Sequence, residues 1–208
     1  MATIPLGGTP GVYDPRNPTL IPNFDPTVMS AQGTLDHVSP AAFAAEFPRV
    51  AATATATIGG TATSGNTVTL TVTSRVIPAG SLSVTYTVGA SDTLDSIAEG
   101  LASLVNANAA AQAVGLVATA ALAVVTMNWP GPVGNSAVLS YTLSGGATET
   151  VTLSPVGGGL TGGSGPIIPV NNFNFTYNSA TMSFFYGIPR VLGADLVALM
   201  VSQGMPIV

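Results

Sequence analysis

Two runs of strict alternation constrain this chain more than any other feature. In Val68-Thr-Leu-Thr-Val72 and Leu82-Ser-Val-Thr-Tyr-Thr-Val88 an apolar side chain occupies every second position, with Thr or Ser between. Successive side chains of an extended strand point to opposite faces, so a period of two gives a strand with one dry and one wet face. The wet face here is hydroxyl rather than ionic. Pro78-Ala-Gly80 stands between the runs, and a turn there pairs them as an antiparallel hairpin.

Hydroxyl in place of charge is general in this chain. Charged residues make up 6% of its 208 positions, where a typical soluble domain has about 25%. There is no lysine, and the cations are Arg16, Arg49, Arg75 and Arg190. A surface so poor in ions either dresses in Thr, Ser, Gly and Ala or is covered by partners. The net charge of −5, with no basic cluster, argues against direct contact with nucleic acid. Without cysteine there is no disulfide framework and no thiolate metal site. Met1 to Gly8 lacks the positive and apolar regions of a secretory leader. The alanine-rich stretch Ala109 to Met127 is interrupted by Gln112, Gly115, Thr119 and Thr126 and has no flanking Lys or Arg, so no membrane span is expected.

Composition divides the chain into four parts. Residues 1–52 read as an extended arm, because eight of the sixteen prolines fall between Pro5 and Pro48, and proline fixes φ and removes a backbone donor. One short helix fits there, capped by Ser39 and ended by Pro48. Residues 53–156 read as a β-rich module of order β-β-α-β-β-β-β. Its helix covers about 92–106, capped by Asp92 or Ser91, with Leu94, Ile97, Ala98, Leu101, Leu104 and Val105 on one face and Asn106 and Asn108 closing it. Strands are expected near 115–119 and 122–129. A last hairpin joins Val138–Leu143 to Glu149–Leu153 across Ser144-Gly-Gly-Ala147. Gly157 to Gly165, within a 157–166 segment, reads as a flexible linker. Residues 167–208 hold an aromatic hairpin around Asn178-Ser-Ala180 and a short helix near Val191–Met200. The fold class expected is mainly β (α+β), a β-sandwich-like antiparallel module with one packed helix.

No catalytic constellation is visible, and no cofactor or metal ligand set is expected. His37 stands alone in the arm, Asp92 and Asp95 sit where a first helical turn wants acids, and Gly157–Gly165 lacks the GK[ST] of a phosphate loop. Trp129 is either a core-edge residue or a stacking platform for a sugar. The aromatic residues of the two ends are the candidates for subunit contact: Tyr13, Phe24, Phe43 and Phe47 in the arm, and Phe173, Phe175, Tyr177, Phe184, Phe185 and Tyr186 near the C-terminus.

Two resemblances follow from longer motifs. Tyr86-Thr-Val-Gly-Ala-Ser-Asp-Thr-Leu-Asp-Ser-Ile-Ala98 resembles the opening of the LysM family, which implies peptidoglycan or glycan binding; Ser91 replaces that motif's glycine. Thr57-Ile-Gly-Gly-Thr-Ala-Thr-Ser-Gly-Asn-Thr-Val-Thr-Leu70, the Asp92–Asn106 helix, Gly131-Pro-Val-Gly-Asn135 and the Thr148–Leu153 strand with Gly157-Gly-Gly159 follow in the order seen in modules of phage tail sheath, tail and other virion proteins. This second resemblance implies a structural protein located in the virion: head decoration, neck or collar, or tail or fibre attachment. Its expected partners are other virion proteins and copies of itself, with host-surface glycan as a further possibility, and it carries over no catalytic residue.

Overall fold

The computed structural model describes residues 48–208; the arm, with its expected helix and with Tyr13, Phe24, Phe43 and Phe47, lies outside the described residues. The described residues belong to one compact unit. The chain runs β1 (Ala51–Gly60), β2 (Thr67–Thr73), β3 (Ser81–Thr87), α1 (Leu94–Ala107), α2 (Ala109–Val114), β4 (Val117–Ala121), β5 (Val124–Pro130), β6 (Val138–Leu143), β7 (Glu149–Ser154), β8 (Phe173–Tyr177), β9 (Ala180–Phe184) and α3 (Ala194–Ser202). The fold is mainly β with antiparallel sheets, as the alternation predicts.

Two sheets face each other, ordered β4-β5-β1-β7 and β3-β2-β6. Their inner faces meet in one cluster that includes Ile58, Leu70, Val84, Met127, Trp129, Leu139 and Val151. Helix α1 packs on β3 of one sheet and on β4 and β5 of the other, and so closes the side of the sandwich opposite β6 and β7. Its buried face is Ile97, Ala98, Leu101, Ala102 and Val105, while Leu104, expected inward, is exposed. The expected β2–β3 hairpin forms, with Leu70 opposite Val84.

The centre of the larger sheet is β1, which the β-β-α-β-β-β-β reading omits. It pairs with β5 on one side and β7 on the other. Ala52, Ala54 and Ala56 point inward and are fully buried. Alanine contributes little strand propensity, but a small inner face lets bulk approach from the other layer. Gly134, in the 3₁₀ turn Pro132–Ser136, lies so close that an added Cβ would stand 2.8 Å from the Cβ atoms of both Ala52 and Trp129.

Two further expectations are corrected. β6 and β7 do not pair with each other: β6 lies beside β2 and β7 beside β1, so Ser144–Thr148 is a corner between sheets rather than a hairpin loop. The period-two pattern is the same in either case, and sheet membership is settled by which inner face each strand can cover. Gly157–Gly165 is no free linker either. Its backbone bonds to β6 and β1 through Leu139 N–H to Gly158 carbonyl (2.7 Å), Leu160 N–H to Ala137 carbonyl (2.9 Å) and the reciprocal Thr53–Thr161 pair (2.8 and 3.0 Å). Glycine is required at 158, where φ is +72° and a Cβ would collide with the Leu139 carbonyl.

The C-terminal hairpin β8–β9 turns through Asn178 and Ser179, both at positive φ. Its inner face joins α3 in a second cluster with Val133, Ile167, Phe175, Phe184, Val197, Met200, Val201 and Ile207.

Candidate functional site

Three ionic side chains of the described residues, Asp92, Glu149 and Arg49, are occupied in holding loops. Asp92 does not cap α1; Thr93 does, its Oγ1 accepting from Ser96 N–H at 3.2 Å while Ser96 Oγ accepts from Thr93 N–H at 2.9 Å. Asp92 braces that cap from behind. Its Oδ2 accepts from Gly89 N–H (2.7 Å) and from the Tyr86 hydroxyl (2.9 Å), and its Oδ1 accepts from Ser96 Oγ (3.2 Å). The Gly89 bond, then the Tyr86 bond, hold the Asp92 carboxyl below its ordinary pKa; the same hydrogen bond, then burial, push the Tyr86 phenol up. The Tyr86 ring lies against Gly100, where an added Cβ would fall inside it. The residues that carry both resemblances thus build a helix start. Asn108 closes α1 as expected, its N–H bonding the Val105 carbonyl at 3.0 Å, and also caps α2; Asn106 does not, its side chain instead exchanging two 2.8 Å bonds with the Ala118 backbone of β4.

Glu149 is a buried carboxylate that the sequence does not single out. Burial raises its pKa, but the Thr63 N–H at 2.6 Å and Asn66 Nδ2 at 2.7 Å outweigh that and leave it lowered. It ties the β1–β2 loop to the start of β7. Arg49 donates from Nη2 to the Pro130 carbonyl at 2.9 Å, and burial lowers its pKa. Among the described residues no three His, Cys, Asp or Glu side chains cluster as a metal site. Nor is any described helix long and apolar enough to cross a membrane; Ala109–Met127 is a short helix and two strands. Trp129 is wholly buried, which removes it as a sugar-stacking platform.

The candidate surface is therefore the C-terminal aromatic region, and the structure divides its six expected contact residues. Phe175 and Phe184 are only 3% exposed and belong to the chain's own second core; Phe173 stacks on Phe184 with centroids 4.9 Å apart. Phe175 and Phe184 therefore cannot serve a partner as expected, and Phe173 is partly committed to the same cluster. Tyr177, Phe185 and Tyr186 remain outside. Ile188 and Val191, missed in the sequence, are exposed beside them in the chain. The available signal was Gly187, whose φ of +72° lets the chain turn directly after Phe185-Tyr186. By contrast the outward face of the β2–β3 hairpin carries hydroxyls joined across strands, Thr69 to Thr85 at 2.8 Å and Thr71 to Ser83 at 2.7 Å, although the sandwich exposes Leu122 and Tyr141 elsewhere. Compared with known proteins, the chain matches no family profile and no curated protein.

Proposed function

We propose that this chain is a structural component of a bacteriophage virion, at the head surface, the neck or collar, or the point of tail or fibre attachment. Its work is contact: the arm and the C-terminal region hold it to other virion proteins and to copies of itself, and it performs no catalysis. The observation that carries this reading is the uneven surface. Of the exposed aromatics among the described residues, Tyr141 stands alone on the sandwich, while Tyr177, Phe185 and Tyr186 gather within ten residues of one another near the C-terminal hairpin. Exposed apolar side chains grouped in one region mark a surface that a partner covers. The order of motifs shared with virion modules supports the phage assignment. The glycan-binding alternative has lost its Trp129 platform. The deciding experiment is immunogold electron microscopy of phage particles with an antibody raised against this chain. Gold at one fixed station on each particle is expected; particles that remain unlabelled while the chain stays in the soluble fraction would refute the assignment.

A further inference from the structure

The β8–β9 hairpin carries a feature that the contact role does not use. At its open end a small cavity of about 180 Å³ is lined by two facing triplets, Asn172-Phe173-Asn174 and Ser183-Phe184-Phe185. They are centred on the pair Phe173–Phe184, whose rings stack with planes 9° from parallel. Asn174 stands directly opposite Ser183, so their side chains share one face and can reach a single ligand. Asn172 Oδ1 accepts from Tyr186 N–H at 2.6 Å, which fixes that carboxamide and leaves its Nδ2 to donate elsewhere. Ile188 N–H on the Phe185 carbonyl (3.1 Å) and Gly187 N–H on the Pro169 carbonyl (2.9 Å) hold the backbone that follows Phe185. Phe185 itself is 49% exposed. Groups fixed in place before binding lose little conformational freedom when a ligand arrives.

The lining is aromatic and polar but not ionic: three phenylalanines, two asparagines and a serine. Carboxamides and hydroxyls both donate and accept, and so match a ligand whose own polar groups are hydroxyls. The exposed ring beside them suits an apolar C–H face on the same ligand. The space takes one small ring, since sites for drug-sized ligands start at about 300 Å³. A saturated ring with hydroxyls on its edge and C–H groups on its faces meets both demands, and that is a sugar. Other ligands fit less well. An apolar side chain from a protein partner would cover the carboxamides and Ser183 without hydrogen-bonding them, which costs more than the ring contact contributes. An acidic sugar finds no cation in the lining, and a nucleic-acid strand is repelled by a net charge of −5.

We propose that these two triplets form a binding site for a single neutral sugar ring. Phe185 is the platform under the C–H face, and Asn172 Nδ2, the Asn174 carboxamide and the Ser183 hydroxyl bond the ring's hydroxyls. Of the outward rings Tyr177, Phe185 and Tyr186, only Phe185 lines the cavity, so the other two remain available for protein contact. The site goes beyond the contact role and does not rest on it. Sugar stacking fails at Trp129, which is buried, and finds a platform instead on a ring whose position the hairpin register determines.

The test titrates the full-length chain separately with glucose, galactose, mannose and N-acetylglucosamine, read by saturation-transfer difference NMR. At least one sugar should show transfer to its ring C–H protons, with a Kd in the millimolar range that so small a ligand can reach. Phe185→Ala should weaken that binding about tenfold, and Phe185→Tyr should restore it to within about twofold. Asn174→Ala should weaken it about fivefold. Both positions are exposed, and circular dichroism checks that each variant keeps its fold. Absence of transfer to all four sugars overturns the proposal, and so does binding unchanged in both Phe185→Ala and Asn174→Ala. Glucuronate or adenosine binding more tightly than every neutral sugar overturns the ligand class. None of these measurements needs a particle, so sugar binding and the immunogold result stand or fall separately.

Discussion

In the sandwich, β1 turns Ala52, Ala54 and Ala56 inward and Thr53, Thr55 and Thr57 outward; in the C-terminal hairpin, β8 turns Phe173 and Phe175 inward and keeps Tyr177 half outside. Both strands alternate, yet the first closes on itself and the second does not. The sandwich has two sheets and a helix to enclose small aliphatic side chains, so hydroxyls suffice outside. The hairpin has only α3 and a few neighbours to cover large rings, and a small core cannot enclose them all. Low charge is thus compatible with an enclosed small-residue core in one region and leaves aromatic rings exposed in the other.

The comparison breaks most severely at Trp129. Trp129→Ala should destabilise the sandwich by about 3–5 kcal/mol through the cavity it leaves, read as a lower urea midpoint by circular dichroism. The C-terminal region should melt in the same transition, since Val133, next to the Trp129 layer, belongs to its cluster. Phe184→Ala should remove about 3 kcal/mol locally, and hydrogen exchange should quicken across residues 167–208 while β1–β7 keep their protection. Equal loss of protection in both regions would show that they are one cooperative unit. Gly100→Ala is a smaller probe. Helix propensity alone would add about 1 kcal/mol of stability, but the collision with Tyr86 should turn this into a net loss of about 1–3 kcal/mol, measured as a lower Tm.

Acid is the mildest probe, and it acts through two carboxylates of the sandwich. The folded pKa values of Asp92 and Glu149 lie below their ordinary values, so the stability these carboxylates contribute is complete above the unfolded values, about 4. It is lost as pH falls below that point through the lower folded values, because protonation removes the acceptors of Gly89, Thr63 and Asn66. The urea midpoint should therefore drop on acidification, and the drop should shrink in Asp92→Asn.

The alternating strands and the main helix were legible because hydrophobic period and capping chemistry are local. β2, β3, β8 and β9 follow from period two alone, and α1 from its apolar face. What was not legible is non-local. Nothing in Ala52-Thr-Ala-Thr-Ala56 marks a central strand until Trp129, Gly134 and α1 press against it and make small side chains the ones that fit. The separation of β6 from β7 depends on which sheet has a vacant edge. Gly157–Gly165 has the composition of a flexible tether, but Gly158 and Gly163 are small because the backbone of Leu139 and Gly131 lies against them. The proposed contact surface was half legible: the aromatics were found, but which of them are buried depends on how α3 and the following segment pack on the hairpin.

The glycine-rich return has one more consequence. Val50 N–H bonds the Ser164 carbonyl at 3.0 Å and Ser164 N–H bonds Val50 at 3.1 Å, so the thread enters and leaves the sandwich at a single doorway. A body whose two ends meet can be spliced into a surface loop of an unrelated protein without prising that host apart. Tension applied at Arg49 and Gly165 would likewise meet this short clasp before it reached the sheets.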